Sequence, residues 1–367
     1  MTTGGEIPEF YYVLPNDSYP TINYSTDYDG YTCDYFGDYL QEHEKHQEVY
    51  RVVIPILYSL VFVVGAVGNG LVLYILRRSH RSRSSTDNFL LHLAIADLLM
   101  LFTFPFAITE AMVGWKFGDF LCKVLGAISR LNYYCSCLLL GCISIDRYLS
   151  IIYAIHTFKK RSIEAVHFSC FIVWIVCFLL SLPNMFILGS HQLGNYTWCG
   201  YNQSHFPSNS WWQVGRFMNH VVGFLVPMII MIICYSHIIV TLCRSPRREK
   251  KKAVRVAIVI TVVFFLCWTP FNVAVFLDTL DQYKWIDSCA LKNNLSMAII
   301  VTEVFGYVHC CLNPLLYAFV GAKFRNDALK VVKRLGCFKS KLLDRVTTVS
   351  RKSSTTESES RTVFSTI

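Results

Sequence analysis

From Val52 to Leu76 the sequence runs 25 residues without a charged side chain. A helix needs about 20 residues to cross the hydrocarbon of a bilayer, so this run alone argues against a soluble domain. Six more apolar runs follow it. Expected spans lie at 52–77, 87–113, 121–153, 165–188, 213–243, 253–280 and 294–320. Composition agrees: 53% of residues are hydrophobic and 16% charged, against roughly 25% charged in soluble domains. No repeat period or inverted symmetry relates the halves, which weakens a transporter, the main rival class. The expected fold is an all-α membrane protein, a seven-transmembrane helix bundle over 51–320, with a short amphipathic helix at 321–335.

Basic residues beside the runs give a direction. Arg77, Arg78, Arg81 and Arg83 follow the first run, Lys159, Lys160 and Arg161 the third, and Arg244, Arg247, Arg248 and Lys250–Lys252 the fifth. The opposite side holds mainly Lys116, Lys284 and Lys292. Positive residues stay in the cytoplasm, so the N-terminus is expected outside and the C-terminus inside. No positively charged n-region and apolar h-region open the sequence, so the first span is expected to direct its own insertion.

The two tails differ sharply. Residues 1–50 carry ten acids and one base, a charge of −9, which leaves 33 bases and 15 acids, +18, for the rest. Nine tyrosines share that segment, and Tyr24, Tyr28, Tyr31 and Tyr35 sit in or near acidic contexts that suit sulfation. With few aliphatic residues the segment is expected to be a disordered acidic extracellular tail. At the other end, 336–367 is a cytoplasmic tail with twelve Ser or Thr among residues 347–366, a substrate for clustered phosphorylation. Cys337 is positioned for palmitoylation. Sequons at Asn16, Asn23, Asn195 and Asn202 all fall on outside segments.

Most of the fifteen cysteines lie inside spans, where they act as small apolar residues. Cys33, Cys122, Cys199 and Cys289 lie on the oxidising side, and four cysteines allow three pairings. Cys122 tops the third span and Cys199 lies in the next outside loop, so a bridge there would pin the loop over the bundle. Cys33 and Cys289 would then tie the N-terminal tail to the last outside loop.

Polar residues inside lipid are costly and mark function by default. Here they recur span by span: Gly68-Asn69, Leu93-Ala94-Ile95-Ala96-Asp97, Asp146-Arg147-Tyr148, Trp174, Pro227 with Tyr235, Cys267-Trp268-Thr269-Pro270, and Asn313-Pro314-Leu315-Leu316-Tyr317. In this order they resemble the rhodopsin-like G-protein-coupled receptors over about residues 50–335. Thr103-Phe104-Pro105, Trp115, His309-Cys310-Cys311-Leu312-Asn313-Pro314 and the second outside cysteine pair resemble, more narrowly, the chemokine receptors, with Lys252–Ile258 and Phe264–Trp268 nearest the CXC type.

The resemblance implies partners and roles. The ligand would be a CXC chemokine, a small basic protein. The inner partners would be a heterotrimeric G protein of the inhibitory class, arrestin and receptor kinases, with membrane lipid around the bundle. A homo- or hetero-dimer is compatible, and no nucleic-acid partner is implied. Tyr58, Glu110, Arg130, Asp278 and Glu303 would line a net-acidic outward cup, with Glu110 and Arg130 as a potential ion pair. Asp146, Arg147, Tyr148, Tyr235, Phe264, Trp268, Pro270, Asn313, Pro314 and Tyr317 would form the activation switch, Arg147 pairing with Asp146 or reaching toward Tyr235. Asp97, with Asn69, Asn132, Ser136, His309 and Asn313 nearby, would hold an allosteric sodium ion. No other cofactor is implied. Signalling members read Asp-Arg-Tyr-Leu-Ala-Ile-Val after the third span, whereas Ser150 and Ile152 stand here. The alternative is therefore a chemokine scavenger that binds without coupling. An enzyme is not expected: His309, Cys310 and Cys311 are adjacent on a helix, point to different faces and lack the spacing of a zinc site.

Overall fold

A computed structural model describes residues 49–78, 84–152, 163–193, 196–201, 210–243, 248–282 and 289–320, with Phe324, Arg325, Ala328, Leu329 and Val331. Seven helices are long and apolar enough to cross a membrane: Arg51–Arg78, Ser85–Val113, Gly118–Ile152, Glu164–Ile187, Val214–Cys243, Val254–Leu280 and Met297–Tyr317. These are the first to seventh spans below. Each starts and ends within a few residues of its apolar run, because a helix in hydrocarbon must satisfy every backbone amide within itself.

Local chemistry sets several boundaries. Ser84 caps the second span: its Oγ accepts from the Asp87 amide at 3.2 Å while Asp87 Oδ2 accepts from the Ser84 amide at 2.8 Å, a reciprocal capping box. The loop after that span is bounded by Gly114 and Gly118, at φ 80° and 76°, where a side chain would be strained. The fifth span contains a π-helical turn, Val221–Leu225, just before Pro227. The seventh is interrupted at Val308, between Cys289–Tyr307 and His309–Val320, where Cys311 N bonds the Val308 carbonyl three residues back.

Prolines leave carbonyls to be satisfied elsewhere. Pro314 has no N–H for the carbonyl of Cys310, four residues before it. Asn69 of the first span supplies the donor, its Nδ2 bonding Cys310 O at 2.8 Å and Gly65 O at 3.0 Å. The two spans come close enough for this because residue 68 is glycine; a Cβ there would stand 2.8 Å from the Pro314 ring.

A continuous apolar core runs through the bundle, with Trp268, Tyr133, Phe104 and Phe264 fully buried. Val67, Phe168, Phe186 and Leu266 face outward, into what would be lipid. Phe324, in the short helical stretch after the seventh span, packs its ring 6.1 Å from that of Tyr317.

Over the end of the bundle where the third span begins lies an antiparallel hairpin, β1 (Leu188–Leu193) and β2 (Tyr196–Tyr201), with Leu193 opposite Tyr196. The sequence reading had placed only a loop there. Cys122 and Cys199 are bridged, joining β2 to the head of the third span. The Trp115 amide adds a bond to Thr197 O at 2.7 Å, and Asp119 Oδ1 accepts from the Ser190 amide at 3.0 Å. The Cys33–Cys289 bridge, the sequons at Asn16, Asn23, Asn195 and Asn202, the tail tyrosines and Cys337 lie outside the described residues or side chains.

The bridge carries a prediction. It joins residues 77 apart in sequence and ties β2 to the third span. Cys122→Ala should abolish surface expression or ligand binding, read by flow cytometry and ligand saturation. Cys33→Ala should mainly weaken affinity, because that cysteine would position only a tail.

Candidate functional site

Three polar layers are stacked along the bundle. The outer layer contains the acids expected to line the cup, and most are already engaged. Glu110 Oε1 accepts from the Cys199 amide at 2.7 Å, holding the hairpin. It does not pair with Arg130, as the sequence had allowed. Arg130 lies 3.8 Å from Glu303 Oε1, donates to the Tyr201 hydroxyl at 3.4 Å and sits over the Phe271 ring. Asp278 forms a short ion pair with Arg216, which also bonds Thr279. Asp278 is 3% exposed, so of the three acids expected to line the cup it is the covered one, while Glu110 and Glu303 are half-buried. The reason is geometric: Arg216 projects from the fifth span onto the sixth, a neighbour that linear spacing does not reveal. Tyr58 packs its ring 4.7 Å from that of Phe104.

The middle layer begins where Glu303 accepts from the Tyr307 hydroxyl at 3.1 Å. The Tyr307 ring stands 5.3 Å from Trp268, edge to face. Trp268 also touches Tyr133, Phe264, Phe271 and His309. Residue 306 must be glycine for this packing, since a Cβ would meet the indole at 2.9 Å. Tyr133 and Asn272 exchange hydrogen bonds at 3.2–3.3 Å, and Asn272 Nδ2 reaches Trp268 O at 2.9 Å. The sequence reading missed Asn272, Tyr133 and Arg216. Their polarity within or at the end of a span was the available signal.

His309 links this layer to Asp97. Its Nδ1 lies 2.7 Å from Gly306 O and 3.3 Å from the Trp268 indole nitrogen. A carbonyl only accepts and an indole N–H only donates, so Nδ1 serves Gly306 or Trp268 according to the tautomer of the ring. Nε2 lies 3.4 Å from Ser136 Oγ and 3.6 Å from Asp97 Oδ1. Asp97 is fully buried and accepts from Asn132 Nδ2 at 3.3 Å and Asn313 Nδ2 at 2.9 Å. Ser136 thus faces His309, while Asn69 serves the Cys310 carbonyl. Asn132 Oδ1 is buried without a hydrogen bond. The expectation that His309 and Cys310 diverge fails: Nε2 and Sγ approach to 3.6 Å. The interruption at Val308 lies just before them.

At the inner end Arg147 makes a short bond to the Thr86 hydroxyl, which donates to Asp146 Oδ2 at 3.3 Å. The second span therefore bridges Asp146 and Arg147. Tyr235 bonds Thr261 at 3.3 Å, joining the fifth span to the sixth. Tyr148 stacks against His237, 5.9 Å between rings. The buried Tyr317 hydroxyl lacks a partner.

These layers lie within one bundle of seven membrane-length helices. The chain matches the family described as "7 transmembrane receptor (rhodopsin family)" over residues 68–317, and it belongs to that family. Within it the chain falls among the chemokine receptors. It is 44% identical over 320 residues to C-X-C chemokine receptor type 5 of Homo sapiens, covering 86% of each chain. It is 40% identical over 349 residues to C-X-C chemokine receptor type 3 of Bos taurus, covering 94% of this chain and 93% of that one. Such proteins are multi-pass receptors of the plasma membrane and not enzymes.

Removing the Glu110 acceptor should loosen the hairpin. Glu110→Ala leaves the Cys199 amide unpaired and should cost about 1–3 kcal/mol, measured by thermal unfolding in detergent. Glu110→Gln keeps an acceptor oxygen and should cost less.

Proposed function

We propose that this chain is a receptor for a CXC-type chemokine that passes binding at the cell exterior to an inhibitory-class heterotrimeric G protein, and then to receptor kinases and arrestin, in leukocyte migration. The observation that carries the reading is the unbroken contact series Glu303–Tyr307–Trp268–His309–Asp97–Asn313. It connects the open outer cup to the Pro314 segment, so a ligand that moves Glu303 bears on groups controlling the inner end. The orientation, with the acidic tail outside, rests on the positive loops. The 1–50 tail, sulfated at Tyr24, Tyr28, Tyr31 and Tyr35, would capture a basic ligand electrostatically.

Arg147 is the inner switch in this reading. Leaving Thr86 would free its guanidinium for a G protein or for Tyr235, a two-state element of the kind receptors use. The Ser150 hydroxyl donates back to the Arg147 carbonyl at 3.0 Å, onto its own helix, and the reading keeps a signalling receptor ahead of a scavenger. A sodium ion at Asp97 belongs to the same proposal. The carboxylate and the unpartnered Asn132 Oδ1 are hard oxygens suited to it, with Ser136 and Asn313 adjoining. Its charge would neutralise Asp97 while the bundle is closed.

Two tests follow. Arg147→Ala should retain chemokine binding and lose nearly all nucleotide exchange on the inhibitory-class G protein in isolated membranes; arrestin recruitment by the parent with no exchange on any G protein would establish the scavenger instead. Replacing the four tail tyrosines by Phe should slow association and flatten its salt dependence, since screening acts over roughly 8 Å at physiological ionic strength. Glu303→Gln should spare that capture and impair activation. Stopped-flow binding on receptor whose sulfation is confirmed by mass spectrometry separates these steps.

A further inference from the structure

Among the described residues, one group of three metal-type side chains converges: Asp97, His309 and Cys310, all buried, with ligand atoms within 4.8 Å of one another. We infer that this group is a binding site for a soft divalent cation of the zinc type, tying the second span to the seventh, independently of which chemokine the receptor takes.

The spacing fits coordination. Tetrahedral zinc holds nitrogen and carboxylate oxygen at about 2.0–2.2 Å and thiolate at about 2.3 Å, which sets ligand atoms about 3.3–3.6 Å apart. His309 Nε2 lies 3.6 Å from both Asp97 Oδ1 and Cys310 Sγ. Two of the three donor pairs therefore stand near the separation that a single central ion would impose, and the third is within 4.8 Å.

The surroundings match as well. A metal-binding histidine characteristically donates its other ring N–H to a carbonyl or carboxylate, which fixes ring and tautomer. Gly306 O lies 2.7 Å from His309 Nδ1, placed to accept that proton when Nε2 holds the ion. The ligating carboxylate should itself be held, and Asn313 and Asn132 donate to Asp97 from the seventh and third spans. The unpartnered Asn132 Oδ1 belongs to a residue of this group and is a hard-oxygen candidate for a fourth position.

Charge distinguishes this ion from sodium. Binding displaces the proton of the Cys310 thiol to solvent, and the thiolate with the Asp97 carboxylate then neutralises the dication in a low-dielectric interior. Sodium needs only Asp97 and hard oxygens, and gains nothing from sulfur. The two ions share the carboxylate and should compete.

The test uses full-length receptor in lipid nanodiscs, with no chemokine present. Co²⁺, the spectroscopic stand-in for zinc, should give a thiolate-to-cobalt charge-transfer band at one equivalent, removed by excess Zn²⁺. The band should vanish in Cys310→Ala and persist in Cys311→Ala, whose thiol donates to Val308 O. Micromolar Zn²⁺ should raise the melting temperature of the parent, and the zinc concentration needed should rise at least about tenfold in Cys310→Ala, as loss of one ligand implies. High sodium should weaken zinc binding in the parent. A cobalt spectrum without the thiolate band, or equal zinc affinity in parent and Cys310→Ala, would overturn the site. Because no ligand or G protein enters the measurement, its failure is distinct from failure of the chemokine reading.

Discussion

The bundle depends on one fully buried carboxylate. In hydrocarbon, helices gain little by burying apolar side chains against each other, since lipid is equally apolar. Close packing and buried polar contacts must give the association its specificity. Asp97, on the second span, collects groups from two others, the third through Asn132 and the seventh through Asn313 and His309. Asn69 adds the first by serving the carbonyl that Pro314 leaves without a donor. Four spans are thus registered by a set of amides and one imidazole, and the aromatic layer around Trp268 rests directly on it.

The same economy explains why functional residues look damaged as helix formers. Pro314 and the break at Val308 remove regular hydrogen bonds in the segment that carries His309, Cys310 and Asn313. A regular helix would spread the side chains of adjacent residues about 100° apart, around its axis. Here the imidazole and thiol of neighbours meet, and the carbonyl set free is satisfied from another span. Irregular backbone at membrane depth survives because it is enclosed by protein.

Span number and limits were legible, because charge-free length is a one-dimensional property. Asp97, Arg147, Trp268 and Asn313 were legible as polar or aromatic exceptions within those runs. What could not be read was azimuth. Lipid-facing and core-facing residues are both apolar, so Phe168 and Phe264 look alike in sequence although one is outward and the other buried. Hence the pairing of Arg130 with Glu303, and of Arg216 with Asp278, emerged only once the helices were placed. The hairpin was hidden differently: Gly194-Asn195, a turn-forming pair, separates its strands, but short strands over a bundle mouth carry little periodic signal.

Those outer pairs bear on how a basic ligand could engage a cup whose acids already have partners. Charge in an enclosed site is not left uncompensated, so a ligand cation gains most where it replaces an internal cation with little exposed cost. Asp278 is a poor place for such exchange: its ion pair with Arg216 is short, and the carboxylate is almost wholly covered. Glu303 is a better one. Its contact with Arg130 is long, at 3.8 Å, both side chains retain some exposure, and Arg130 has the Tyr201 hydroxyl and the Phe271 face to fall back on. A ligand amine arriving at Glu303 would therefore release a guanidinium that is already partly held elsewhere. The Tyr307 hydroxyl donates to that same carboxylate, so the exchange would be felt at once by the ring packed against Trp268.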